Sequence, residues 1–182
     1  MKNNLSNKTI LITGAAGGIG EALCTSFAEA NGTIILHYNS NRDKAESLLQ
    51  KLPGMHHRAI QCDLSNADQV NTMFSAIDHV DIVINNAAVV ENHEIDSLSY
   101  QDWQDIWERT IGANLIGPAN IMYLASKFMI KNGGGKFINI SSRGAFRGEP
   151  SAPAYGASKA GLNSLGQSLA KALAKDRVFV YT

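Results

Sequence analysis

The stretch LITGAAGGIGEAL, residues 11–23, holds an apolar run, then a glycine-rich turn, then the first residues of an amphipathic segment. Gly14, Gly18 and Gly20 punctuate the turn. Glycines allow a sharp bend, a close approach of main chain to a ligand, and tight packing of a helix on a strand. Where a strand turns directly into a helix, the free N–H groups of the first helical turn and the helix dipole favour an anionic group such as a pyrophosphate. Glycine spacing alone is a weak signal. Its place at the first strand-to-helix turn makes it a dinucleotide-binding one, with Gly14, Gly18, Ile19 and Gly20 as the expected contacts.

Outward from this turn, short apolar runs alternate with longer amphipathic ones. KTILIT (8–13), GTIILHY (32–38), RAIQC (58–62), VDIVIN (80–85), KFINIS (136–141) and RVFVYT (177–182) read as strands. Most are apolar without clean alternation, the pattern of parallel strands covered on both faces. Residues 18–30, 42–52, 67–77, 101–130 and 152–175 read as helices, and Pro118 is expected to kink or break the fourth. The alternation predicts an α/β fold: a Rossmann-like, doubly wound parallel sheet in three layers, strand order 3-2-1-4-5-6. The apolar sixth strand is followed by no helix that would cover it, which makes it a pairing liability.

Composition narrows the class. A chain of 182 residues, 45% hydrophobic, suits one core, so residues 1–182 are expected to form a single domain. Sixteen basic residues balance sixteen acidic ones, so no overall field recruits nucleic acid or an anionic membrane. Cys24 and Cys62 lack metal-ligand spacing and read as buried thiols of a reducing compartment. His56 and His57 read as a solvated turn, and Trp103 and Trp107 as packing on the fourth helix; no metal site is expected. The first residues lack the apolar core of a signal peptide, and no apolar run approaches the ~20 residues of a membrane span. A soluble, cytoplasmic protein is expected.

The end of the second strand discriminates between nucleotides. In a dinucleotide fold, an acidic residue ~20 positions past the glycines bonds the adenosine ribose and repels a 2′-phosphate. Here Tyr38 stands at that place, followed by Asn39, Ser40, Asn41 and Arg42, donors suited to a phosphate. This favours NADP(H) over NAD(H). Arg42 has an alternative reading as a solvated residue of the next helix. Asp63, with Leu64 beside it, either reaches the adenine edge or, with Ser65, caps the following helix.

In APAYGASKAG (152–161), Tyr155 and Lys159 stand at i and i+4 and share a helical face among small residues. A tyrosine, with a reference pKa of ~10, exchanges protons poorly near neutrality until a neighbouring ammonium stabilises its phenolate. Gly156, Ala157, Ala160 and Gly161 leave room for a flat ring beside the pair.

Together TGAAGGIG (13–20), NNAA (85–88), NISS (139–142) and YGASK (155–159) resemble the short-chain dehydrogenase/reductase family, over Lys8 to Thr182. The resemblance implies hydride transfer between a nicotinamide and a small-molecule carbonyl or alcohol. It implies Tyr155 as general acid/base, Lys159 as the residue that lowers its pKa and binds the nicotinamide ribose, and Ser142, thirteen residues before the tyrosine, as the active-site serine. Asn114 corresponds to the family asparagine that holds a water between lysine and solvent. Asn86 and Ala87 fall in the segment that lines the adenosine side and braces the sheet. Ala88 replaces the usual glycine, and Gly17 stands where many NADP(H)-dependent members carry a basic residue.

Family members continue for roughly another quarter of the chain, through a substrate-covering loop and a seventh strand, so a C-terminally truncated member is expected. Arg143, Phe146, Arg147 and Glu149 border the expected active site. The resemblance also implies a possible homo-oligomer through the fourth and fifth helices. The alternative is a non-catalytic protein that binds nucleotide or pairs through its helices.

Overall fold

Every side chain of Ile10, Leu11 and Ile12 is buried, and the same holds for Ile82 to Asn85, so these runs cannot alternate between core and solvent. In the computed structural model, which describes residues 4–182, the strands are β1 (Thr9–Ile12), β2 (Thr33–Tyr38), β3 (Arg58–Gln61), β4 (Ile82–Asn85), β5 (Gly135–Asn139) and β6 (Val178–Tyr181). All pairings are parallel, in the expected order β3-β2-β1-β4-β5-β6. Each strand is a residue or more shorter than its apolar run or shifted against it, because the flanking residues turn into loops.

The helices are α1 (Gly18–Glu29), α2 (Arg42–Lys51), α3 (Ala67–Ser75), α4 (Tyr100–Ile111), α5 (Gly117–Lys131), α6 (Gly144–Arg147) and α7 (Pro153–Leu173). Strand parity divides the sheet between two cores. Ile10, Ile12, Ile34, Leu36, Ile82 and Ile84 pack with α1 and α2, whereas Leu11, Ile35, Val83 and Phe137 pack with α3, α5 and α7. At roughly 2 kcal/mol per fully buried aliphatic side chain, these two faces dominate the favourable side of folding. Val178 and Val180 of β6 point into the second core, while Phe179 and Tyr181 are about half exposed.

The fourth predicted helix departs from expectation. It divides into α4 and α5 around a π-helical turn, Gly112–Ile116, and the break falls before Pro118, not at it. Pro118 sits in the first turn of α5, where its missing N–H and fixed φ are tolerated. That same missing N–H cannot bond the carbonyl of Asn114 four residues back, which is why regular α-winding is lost there. The four-residue α6 lies in a segment read only as a loop.

Two further corrections concern side chains. His57, read as solvated, accepts from Ile34 N–H (3.0 Å) through Nδ1 and donates from Nε2 to the Pro53 carbonyl (2.9 Å), clamping the turn before β3 onto β2. The cap of α3 is Asn66, whose side chain accepts from Gln69 N–H; neither Asp63 nor Ser65 caps it. Cys24 and Cys62 are buried free thiols, as expected, and burial raises their pKa values to about 12 and about 11.

At the end of the sheet away from the glycine turn, Asp81 gathers β1 and β4. Its carboxylate accepts from Lys8 Nζ (2.9 Å), Thr9 N–H (2.8 Å) and His79 Nε2 (2.8 Å). Burial pushes the Asp81 pKa up, but these bonds outweigh it and hold the carboxyl below its ordinary range.

Candidate active site

Sheet order reverses at β1, which neighbours β2 on one side and β4 on the other. A crevice must open there, beyond the carboxyl ends of the strands. A cavity of about 490 Å³ does so, lined by the glycine turn, the ends of β2 and β3, and residues 86–89. Gly14 has φ +62°, and a Cβ there would lie 2.8 Å from Ala87 Cα; a Cβ on Gly20 would lie 2.3 Å from the Gly14 carbonyl oxygen. These two glycines fold the turn onto its neighbours. At Gly18 nothing lies within 4 Å of the Cβ position, so its missing side chain leaves open space at the start of α1. That helix has no side-chain cap, and its first-turn N–H groups remain for an anion.

Asn86 braces the turn. Its amide donates to the carbonyls of Thr13 (2.9 Å) and Gly14 (3.2 Å), while the Thr13 hydroxyl accepts from the N–H groups of Asn86 and Ala87 (3.0 Å each). Of the expected nucleotide contacts, Gly14, Gly18, Ile19, Gly20, Tyr38, Asn39, Ser40, Asp63, Leu64, Asn86 and Ala87 all line the cavity. Arg42 does not. Its Nε donates to Glu46 one turn along α2 (2.6 Å), an exposed i,i+4 pair, and Lys44 lines the cavity instead. Asn41 caps α2, its side chain accepting from Lys44 N–H at 3.2 Å. Asp63 accepts from the N–H and hydroxyl of Ser65 (2.9 and 2.7 Å) in a local turn.

The Tyr155–Lys159 pair lies on α7, where both side chains take one face as their spacing requires. Lys159 Nζ stands 5.7 Å from the centroid of the Tyr155 ring and donates to the Ile140 carbonyl at 2.8 Å. Lys159 is only 2% exposed. Desolvation lowers its pKa from the ordinary 10.5 to about 8, so the ammonium persists at neutrality but sits close to losing its proton. Ser142 follows β5, and its hydroxyl accepts from Gly144 N–H (3.1 Å) at the start of α6.

Asn114, fully buried in the π turn, spends its side chain on contacts within the protein. Its Oδ1 accepts from Val89 N–H (2.7 Å), and its Nδ2 donates to the Val89 carbonyl (2.8 Å) and to Ser158 Oγ (3.2 Å). The segment after β4 is thereby fastened to α7 beside the lysine. His93, buried and missed in the sequence, adds a second tie: its Nε2 accepts from Ala154 N–H (3.1 Å), next to Tyr155, and its ring packs edge-on against Trp103 at 5.3 Å. Trp103 and Trp107 pack at a tilt of 42° with ring centroids 5.9 Å apart, the packing role expected of them.

A glycine turn at the switch point of a doubly wound parallel sheet, with a tyrosine and a buried lysine on a neighbouring helix, defines a dinucleotide-binding α/β protein. The sequence profile of the short chain dehydrogenases matches residues 8–182, and the chain belongs to that family. It is 31% identical over 180 residues to the 3-oxoacyl-[acyl-carrier-protein] reductase FabG of Staphylococcus epidermidis, covering 96% of this chain and 72% of that protein. It is 34% identical to the galactitol 2-dehydrogenase of Agrobacterium fabrum, covering 97% of this chain and 68% of that enzyme. Among solved structures, a metagenomic short-chain oxidoreductase in complex with NADP superposes with a TM-score of 0.88 at 27% identity, covering 97% of this chain and 80% of that one. The chain is an oxidoreductase of this family that works with a nicotinamide cofactor on small molecules. No helix among the described residues is long and apolar enough to cross a membrane.

Proposed function

We propose that the protein interconverts a carbonyl and a secondary alcohol with NADP(H), with Tyr155 as general acid/base. The observation that carries this reading is Lys159, buried to 2% exposure beside the Tyr155 ring and held by the Ile140 carbonyl. A buried ammonium is costly unless it is paired or hydrogen-bonded; here the Ile140 carbonyl accepts from it and its charge stands beside the ring of its helical neighbour. The nicotinamide supplies or accepts the hydride when bound. In the direction of reduction, the hydroxyls of Ser142 and Tyr155 donate to the substrate oxygen as it gains charge. Tyr155 then gives up its proton, and Lys159 returns one to it. Asn114, in the π turn beside Ser158, would hold a water that links Lys159 to solvent.

The preference for NADP(H) rests on the residues around the crevice. Asn39, Ser40 and Lys44 offer donors and a positive charge beyond the end of β2, where no carboxylate stands to repel a 2′-phosphate. Asp63 and Leu64 are placed for the adenine edge. At the end of the π turn and along α5, Ile116, Tyr123 and Ile130 are exposed apolar residues, and a homo-oligomer joined through α4, α5 and α7 would cover them. Residence in the cytoplasm accords with the two free thiols.

The test is a titration of NADP+ and NAD+ into the protein by calorimetry, followed by turnover across a panel of ketones and alcohols. NADP+ is expected to bind at least tenfold tighter, and Tyr155→Phe to lose about 10²- to 10⁴-fold in turnover with cofactor affinity retained. Equal turnover in Tyr155→Phe would remove the tyrosine from the mechanism.

A further inference from the structure

His37 lies inside β2, 1% exposed, on the wall of the nucleotide cavity, and no step above uses it. Its two ring nitrogens have unlike partners. Gly14 N–H, which can only donate, points at Nδ1 (3.2 Å), and the Cys62 carbonyl, which can only accept, faces Nε2 (2.9 Å). The ring is therefore the neutral tautomer with its proton on Nε2. One imidazole joins the ends of three adjacent strands: the glycine turn after β1, its own β2, and the exit of β3. The main chain repeats the tie, since Ala15 N–H donates to the His37 carbonyl at 3.0 Å. Gly14 has no room to follow a moved partner, because it already abuts Ala87.

We infer that His37 is a positioning residue for the dinucleotide: through Gly14 it sets the glycine turn relative to Tyr38, Asn39 and Ser40. This inference rests on the nucleotide reading above. The turn meets the phosphates and the end of β2 meets the adenosine ribose, so one ligand must satisfy both at a fixed separation. A neutral ring keeps that separation. A protonated ring presents an N–H to the N–H of Gly14 and pushes the turn away. Burial lowers the His37 pKa to about 4, against the hydrogen bond to the Cys62 carbonyl and the nearby Asp63 charge, both of which favour the proton. The Cys62 thiol stays neutral, so Asp63, in the loop after β3, is the charge that acts on the ring. The ring accordingly stays neutral at pH 7 and pH 5 alike, and the turn loosens only as pH falls through about 4.

The test measures NADP+ dissociation constants by calorimetry for wild type and three variants, with circular dichroism as the control for folding. Asn places an oxygen where Nδ1 stands and restores the acceptor for Gly14; Gln places its amide near Nε2 and does not; Phe removes both. Loss of one such bond weakens binding about five- to tenfold. His37→Gln and His37→Phe are expected to lose that much, with His37→Asn close to wild type and kcat at saturating cofactor unchanged in all three. Between pH 7 and pH 5 the ratio of wild type to His37→Asn, in which titration of the ligand itself cancels, should stay flat, because the ring takes up its proton only near pH 4. Should His37→Phe fail to fold, the Asn and Gln pair still decides. If wild type binds NADP+ and His37→Gln binds equally well, the positioning role is wrong. If wild type binds neither NADP+ nor NAD+, the nucleotide reading itself falls.

Discussion

Replacing Lys159 by methionine should make the protein more stable and nearly inactive. The side chain is 2% exposed, and the fall of its pKa from 10.5 to about 8 corresponds to about 3 kcal/mol of unfavourable burial near neutrality. Methionine matches the length of the lysine stem without the charge. Against this gain stands the Ile140 carbonyl, which loses its donor at a cost of about 1–2 kcal/mol. The net expectation is about 1–2 kcal/mol of added stability at pH 7, a rise in Tm of about 2–8 °C for a chain of this size. Turnover should drop by about 10²- to 10⁴-fold, since Tyr155 loses the charge that poises it. The pH dependence gives a sharper test. Below about pH 8 both the folded and unfolded states carry the lysine proton, so the penalty is constant. Between about 8 and 10.5 the folded state releases it first, and the wild type gains stability with rising pH while Lys159→Met does not. Urea unfolding of both proteins at pH 7, 8, 9 and 10 measures the difference, in which the tyrosines away from Lys159 cancel. A variant less stable than wild type at pH 7, with a difference that stays flat to pH 10, would refute the claim that burial sets this lysine's pKa.

Two further outcomes follow from the geometry. Gly14→Ala combines φ +62° with a Cβ 2.8 Å from Ala87 Cα, so it should cost about 2–4 kcal/mol and abolish nucleotide binding; a Gly14→Ala protein that kept the wild-type Tm would contradict both. Asp81→Asn should lower stability by about 1 kcal/mol near neutrality. Because the folded carboxyl is held below its ordinary range, the difference from wild type should shrink as pH falls through about 4 and below, read from acid unfolding curves.

Most of the architecture was legible because two-sided burial leaves an unmistakable trace: three consecutive apolar residues in β1 and three in β2 admit neither amphipathic helix nor half-exposed strand. Tyr155 and Lys159 were legible for a similar reason, since i,i+4 spacing fixes a shared face before any contact is known. What escaped notice depended on direction. Arg42 and Lys44 lie two residues apart on one helix, and only Lys44 lines the crevice. The i,i+4 partner Glu46 was a signal in the sequence that would have drawn Arg42 away. His37 was hidden inside an apolar run, and its importance comes from Gly14 and Cys62, 23 and 25 residues distant. His93 likewise acts through Ala154, 61 residues on. Spacing rules reach one or two helical turns and say nothing at such separations.

The π turn at Gly112–Ile116 lies between α4 and α5. Along α4 and into the π turn, Trp103, Trp107, Thr110 and Asn114 recur at intervals of four, three and four, a helical stripe that ends within the wider turn. Removing a single residue between 112 and 116 would allow ordinary α-winding, in which four residues at about 100° each sweep nearly the rotation that five sweep in the wider turn. Ile121, Met122, Ala125 and Met129 would keep their places in the core. Such a deletion would instead disturb the turn itself and the ties of Asn114 to Val89 and Ser158. The extra residue of the π turn therefore serves those contacts and not the direction of α5.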